Sequence, residues 1–200
     1  MGAFLLVWLQ LGLGLEGGGG VIQRIAVARQ SLPLGEIFRR RPSPPRPPGF
    51  QGFIGLSLRY FYKPGRFIEV GPGGRFFTLQ SEGLRETHLW ANLPLRWGFR
   101  LDTTLRPWWF WGGFSASLLL RAQSQPKVEG VYRFADYFNR SQLHLHLGLE
   151  KSIGQRLALG LQLSGDISPA WDKVLFQASR TLARHIWVSL YGQYRLWELR

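Results

Sequence analysis

At 200 residues the chain is long enough for one domain with a substantial interior, and no second apolar unit is left over. Twenty-five Gly, nine Trp and fourteen Phe, with only 18% charged residues, favour a turn-rich, aromatic-rich all-β architecture, and zero Cys excludes disulfides and thiolate metal sites. The formal net charge of +13, almost all arginine because Lys63, Lys127, Lys151 and Lys173 are the only lysines, predicts anionic partners.

The first element predicted is a strand over residues 4 to 16. Val7, Leu9, Leu11, Leu13 and Leu15 alternate with Trp8, Gln10, Gly12, Gly14 and Glu16, and a period of two puts successive side chains on opposite faces. Residues 3 to 15 could instead be the apolar core of a signal peptide. They lack a basic start and a good small-x-small cleavage site, so the strand reading is preferred, with any export signal lying upstream or missing.

Residues 17 to 49 are expected to be a long loop. Gly17 to Gly20 read as flexible, and Arg39 to Pro48 (RRRPSPPRPP) reads as an extended polyproline segment, because proline donates no ladder hydrogen bond. The segment also matches a PxxP ligand pattern, although a stiff solvated loop is the simpler reading. Arg39, Arg40, Arg41 and Arg46 are the candidate anion contacts, since guanidinium forks bind phosphate in a bidentate manner. Lipopolysaccharide is the natural anion; the alternative is a solvated charge run with no partner.

Strands are then expected at 50 to 62 and 66 to 80, joined by Lys63-Pro64-Gly65, and at 87 to 101, where Pro94 predicts a local bulge. Further strands follow at 107 to 123, 140 to 151, 156 to 168 and 185 to 198. The hairpin around Ser152 to Gln155 carries the clearest alternation, with Leu143, Leu145, Leu147 and Leu149 on one side and Leu157, Leu159, Leu161 and Leu163 on the other. No apolar run reaches 18 residues, so there is no transmembrane helix, but each segment is long enough to cross a bilayer as a tilted strand. Tight turns at one end and longer spacers at the other predict a single domain over 1 to 200. Its expected fold is an eight-stranded antiparallel up-and-down transmembrane β-barrel with short periplasmic turns and longer extracellular loops.

Alternation alone leaves open which face is greasy outside. A soluble lipocalin-like barrel carrying a hydrophobic ligand would have its leucines inside. Glycine placement favours the opposite sense: Gly12, Gly14, Gly55, Gly98, Gly113, Gly148 and Gly160 fall on the polar face, where a crowded lumen needs small residues between long charged ones. The expected lumen network is Arg59, Glu69, Arg75, Arg96, Arg100, Arg121, His144, His146, Glu150, Arg156 and Asp166. With eight strands there is room inside only for side chains, so no pore is expected. Aromatics around the tight turns, among them Tyr62, Phe67, Trp97, Trp108, Trp109, Trp111, Tyr191 and Trp197, are expected at one membrane interface.

His144 and His146, two apart on one face, could chelate a metal if a third ligand such as His88 joined them, but no spacing supplies the ligand set and no metal site is assigned. Glu150 and Asp166 could in principle do acid–base work. No P-loop, GxSxG, HExxH or dinucleotide fingerprint occurs, so neither an enzyme nor a cofactor is expected. The arginines form no single stripe interleaved with exposed aromatics, so nucleic acid is not an expected partner.

Ala91-Asn92-Leu93-Pro94-Leu95-Arg96-Trp97, an aliphatic-Pro-aliphatic strand, is followed by Trp109-Phe110-Trp111-Gly112-Gly113-Phe114, aromatics leading into Gly, and then by the hairpin from Leu143 to Gly165. In these features the chain resembles the PorT-like outer-membrane β-barrel proteins of Gram-negative bacteria, over most of 50 to 198. The resemblance implies an outer-membrane location and an accessory role in protein secretion or envelope assembly. The chain departs from it in lacking a clear signal peptide and in ending Trp197-Glu198-Leu199-Arg200 rather than on an aromatic.

Overall fold

The computed structural model describes residues 10–28, 48–81, 84–126, 140–168 and 181–199. In chain order these form nine strands: β1 (Gln10–Ala28), β2 (Gly49–Lys63), β3 (Arg66–Val70), β4 (Gly73–Ser81), β5 (Leu84–Arg100), β6 (Trp108–Pro126), β7 (Ser141–Ser152), β8 (Leu157–Asp166) and β9 (Thr181–Leu199). All pairings are antiparallel, and β1 pairs with both β2 and β9, so the sheet closes on itself. Closure leaves no edge and satisfies the backbone from within, the condition for placing a sheet in lipid.

The strand count corrects the expectation of eight. The segment 66 to 80 is two strands, because Gly71-Pro72 interrupts it. β3 and β4 lie end to end, both pairing with β2 on one side and β5 on the other. The break also explains Pro94. Its neighbours Leu95 and Asn92 pair with Val70 and Gly73, so Leu93-Pro94 faces the interruption, where the absent proline N–H leaves no ladder bond unmade. The expected bulge at Pro94 is therefore not there. The β5–β6 register shifts between Leu89 and Trp90 instead.

A second correction concerns the glycine run. Gly17 to Gly20 sit in the middle of β1, paired with Ile54 to Gln51 and with Gly192 to Ser189, rather than in a loop. Strand pairing overrides their low β-propensity, and at Gly18 and Gly20 the neighbouring backbone leaves no room for a side chain. A Cβ on Gly20 would lie 1.8 Å from the Val188 carbonyl oxygen, and one on Gly18 2.3 Å from that of Leu190. β1 runs to Ala28, well into the segment expected as loop. Residues 4 to 9, and the arginine cluster Arg39, Arg40, Arg41 and Arg46, lie outside the described residues.

Side chains alternate, most regularly along β7. It buries Gln142, His144, His146, Gly148 and Glu150 and exposes the leucines between them, and the same polar-in, apolar-out sense holds around the barrel. Leu145, Leu147, Leu161, Leu163, Val188 and Leu190 all face outward. The ligand-carrying alternative requires the reverse arrangement. Tyr62, Trp97, Phe99, Trp108, Phe110, Tyr194 and Trp197 are exposed at the tight-turn end, forming an aromatic girdle. Alternation sends the other aromatics of that region inside: Phe67, Trp109, Trp111 and Tyr191 are buried together, with Phe53 and Phe61 against them.

Candidate functional site in the barrel interior

The interior is filled by two ionic networks between apolar layers. Nearest the tight turns, Phe61, Phe67 and Trp109 pack in tilted to edge-on contacts with centroids 5.5 to 6.1 Å apart. Directly above them the Arg59 guanidinium lies 4.0 Å from the Phe67 ring centre, donates to Glu69 at 2.7 Å, and makes a two-point contact with Glu150 at 3.0 Å. Arg96 bridges Glu69, at 2.8 Å, and Glu16, which it meets through both terminal nitrogens. Tyr191 donates to Glu150 at 3.1 Å and accepts from the Trp111 indole at 2.7 Å; Gln193 donates to Glu69 at 2.9 Å. This network joins β1, β2, β3, β5, β6, β7 and β9 through side chains that are almost entirely buried.

A middle layer is neutral. His146 is hydrogen-bonded to Ser115 and Ser164, both at 2.7 Å, and Gln51 donates to Ser189. Toward the other end, Arg75 packs its guanidinium 4.4 Å from the Trp187 ring and donates to His144 Nε2 at 3.0 Å. Because that nitrogen accepts, the ring proton of His144 sits on Nδ1 and goes to Asp166 at 2.8 Å. The other Asp166 oxygen accepts from His185 Nδ1 at 2.7 Å, and His185 Nε2 in turn accepts from Arg24 at 3.3 Å. Arg24 also makes a two-point pair with Glu86, at 2.5 and 3.1 Å. Ile22, Phe77, Leu79, Trp90, Leu119 and Trp187 form the apolar layer around this upper network.

Of the residues picked out by sequence, Arg59, Glu69, Arg75, Arg96, His144, His146, Glu150 and Asp166 are brought together inside. Arg100, Arg121 and Arg156 are exposed. Arg100, the last residue of β5, and Arg156, just before β8, follow the inward parity but stand at the rim, Arg100 donating to the backbone oxygens of Asp102 and Thr104. Arg121 is displaced by the register shift at Leu89/Trp90, which reverses the inward parity of β6 after Leu119, so that Ala122 turns in and Arg121 out. His144 and His146 are committed to protein partners, and His88 stacks on Phe77 beside Glu86, so these imidazoles do not converge. No group of three or more His, Cys, Asp or Glu among the described residues is arranged to hold a metal ion.

Sequence reasoning missed Glu16, Arg24, Glu86, His185, Tyr191 and Gln193. Glu16, His185 and Gln193 continue the polar parity of their strands and could have been found by extending it. Arg24 and Glu86 lay in segments read as loop, and nothing local marks them.

Lumen glycines provide room for rings on adjacent strands. A Cβ on Gly98, Gly148 or Gly160 would come within 2.5, 2.1 and 2.5 Å of the Phe67, Trp111 and Tyr191 rings respectively.

Closed hydrogen bonding, an apolar exterior with an aromatic girdle and a polar, packed interior define a transmembrane β-barrel of the Gram-negative outer-membrane type. The fold is similar to that of Neisserial surface protein A, with a TM-score of 0.57 at 12% identity, over 94% of this chain and 99% of that one. The attachment invasion locus protein Ail of Yersinia pestis aligns over 92% of this chain and 99% of its own at a TM-score of 0.44 and 10% identity. The N-terminal barrel domain of Pseudomonas aeruginosa OprF aligns over 92% and 98% at a TM-score of 0.43 and 9% identity. No protein-family model and no curated protein matches the sequence.

Proposed function

We propose that this protein is a non-enzymatic resident of the Gram-negative outer membrane whose barrel is an inert, sealed scaffold and whose work is done by the segments joining strands at the end opposite the tight turns. The observation that carries this reading is the use of the interior. Charged side chains there are spent on one another, Arg59 with Glu69 and Glu150, Arg96 with Glu16 and Glu69, Arg24 with Glu86. Groups paired this closely are committed to structure and offer no free site to a solute. Recognition is thereby left to the rims and loops, and the arginine-rich segment containing Arg39, Arg40, Arg41 and Arg46 suits the phosphates of lipopolysaccharide. The PorT-like features of the sequence favour an accessory role in secretion or envelope assembly.

The test is expression behind a functional signal peptide, envelope fractionation, and electrophoresis of heated and unheated extract, followed by lipopolysaccharide binding with and without the four arginines changed to Gln. Outer-membrane recovery, a heat-dependent mobility shift and weaker binding by the variant are expected. Soluble recovery without a shift would refute the scaffold reading, and unchanged binding would refute the role of the arginines.

A further inference from the structure

The rim at the tight-turn end, which the proposed function leaves unused, is strongly basic. Lys63, Arg66, Arg106 and Arg156 are exposed there, and among the described residues none of them takes part in an ion pair. Lys151 adds a further positive charge, its ammonium 4.9 Å from the Trp108 ring centre. Against these the rim sequence sets only Asp102 and Glu198, and Asp102 is occupied in its own turn by Thr104 and the Trp108 amide. Inside the barrel, by contrast, Arg24, Arg59 and Arg96 are each paired with carboxylates, so the imbalance is a property of this surface.

The cations stand just beyond the aromatic girdle, at the depth where headgroup phosphates lie when Tyr62, Trp97, Phe99 and Trp108 occupy the interface. A groove of about 840 Å³ runs between the 64–65 turn and the segment after β5, lined by Tyr62, Trp97 and Phe99 on its apolar side and by Arg66 and Arg100 on its polar side. An apolar wall grading into guanidinium groups fits an acyl-glycerol body with a phosphate at its end. We propose that this rim binds the headgroups of anionic phospholipid in the leaflet facing the tight turns, with the groove beside Arg66 as one seat. The inference rests on the membrane-barrel reading but not on any role for the loops at the far end.

The refolded full chain would be inserted into phosphatidylcholine vesicles containing a trace of spin-labelled phosphatidylglycerol or spin-labelled phosphatidylcholine, and the motionally restricted fraction measured for each. A preference for phosphatidylglycerol of about threefold or more is expected, falling toward parity in Lys63→Gln/Arg66→Gln/Arg156→Gln. Arg85→Gln/Arg184→Gln, which removes exposed charge from the opposite end, should leave it unchanged. Equal association of both lipids with the wild type overturns the proposal, as does an equal loss in the two variants. Loss of the preference on adding inorganic phosphate, but not sodium chloride of the same ionic strength, would mark a free-phosphate site and also overturn it. Inserted barrel, shown by the heat-dependent mobility shift, separates these results from failure of the membrane reading itself.

Discussion

Replacing Gly148 with alanine tests whether lumen glycines are seats for rings. The added methyl would meet Trp111 at 2.1 Å from Cε2, 2.2 Å from Cζ2 and 2.6 Å from Nε1. Carbon atoms in contact prefer about 3.5–4.0 Å, so the indole must retreat by more than roughly 1 Å. It has little freedom to do so. Trp111 is 1% exposed, its Nε1 donates to Tyr191 at 2.7 Å, and the Arg96 guanidinium lies 4.7 Å from its ring centre. Overpacking of a filled interior costs about 1–3 kcal/mol, and loss of the indole hydrogen bond adds about 1 kcal/mol. Alanine recovers about 0.5–1 kcal/mol through backbone entropy. The net expectation is a loss of about 1–3.5 kcal/mol. Reversible urea unfolding in vesicles, followed by tryptophan fluorescence, would measure it, with Gly154→Ala as the control because a methyl there would have no heavy atom within 4 Å. A Gly148→Ala barrel as stable as the wild type would refute the argument. Partial recovery in Gly148→Ala/Trp111→Leu, which removes the ring, would locate the loss in that contact.

Glu69→Ala leaves Arg59 and Arg96 each short of a carboxylate and should cost about 3–5 kcal/mol in the same unfolding assay, whereas Arg121→Gln on the exterior should stay within about 0.5 kcal/mol. Leu147→Arg places a charge midway along the lipid face of β7 and should cost about 2–4 kcal/mol in vesicles; an effect below about 0.5 kcal/mol would show that this face is not against lipid. Gly20→Ala sets a methyl 1.8 Å from the Val188 carbonyl oxygen, where no rotamer change relieves it, and should cost on the order of 3 kcal/mol and lower the folded yield on gels.

Where alternation was unbroken, the sequence exposed both the strand and its inward face. β7 and β8 came within a residue or two of their expected ends, and His144, His146, Glu150 and Asp166 fall inside with them. Legibility failed where parity or propensity was overridden by a neighbouring strand. The shift at Leu89/Trp90 turned Arg121 outward, although nothing near Arg121 in sequence announces it. Gly17 to Gly20 are poor strand formers in isolation and are held in β1 by β2 and β9, partners distant in the chain. Pro94 signals disruption, but only the paired register shows that it faces the interruption at Gly71-Pro72, which splits the strand expected over 66 to 80 instead of making a bulge. Position beside the tight turns suggests that all the aromatics there form one belt. Their alternation divides them between the lipid interface and the tight-turn end of the lumen.

The lower network ties together walls that the sheet itself does not connect. Main-chain hydrogen bonds reach only the adjacent strand, whereas Arg59 on β2 grips Glu150 on β7, and Arg96 on β5 grips Glu16 on β1. Without β1, Arg96 would keep only Glu69, and without β7, Arg59 would be half paired. Buried charge left uncompensated costs several kcal/mol. The cross-lumen arginines thus act as latches between opposite walls, resisting any flattening that would pull those walls apart.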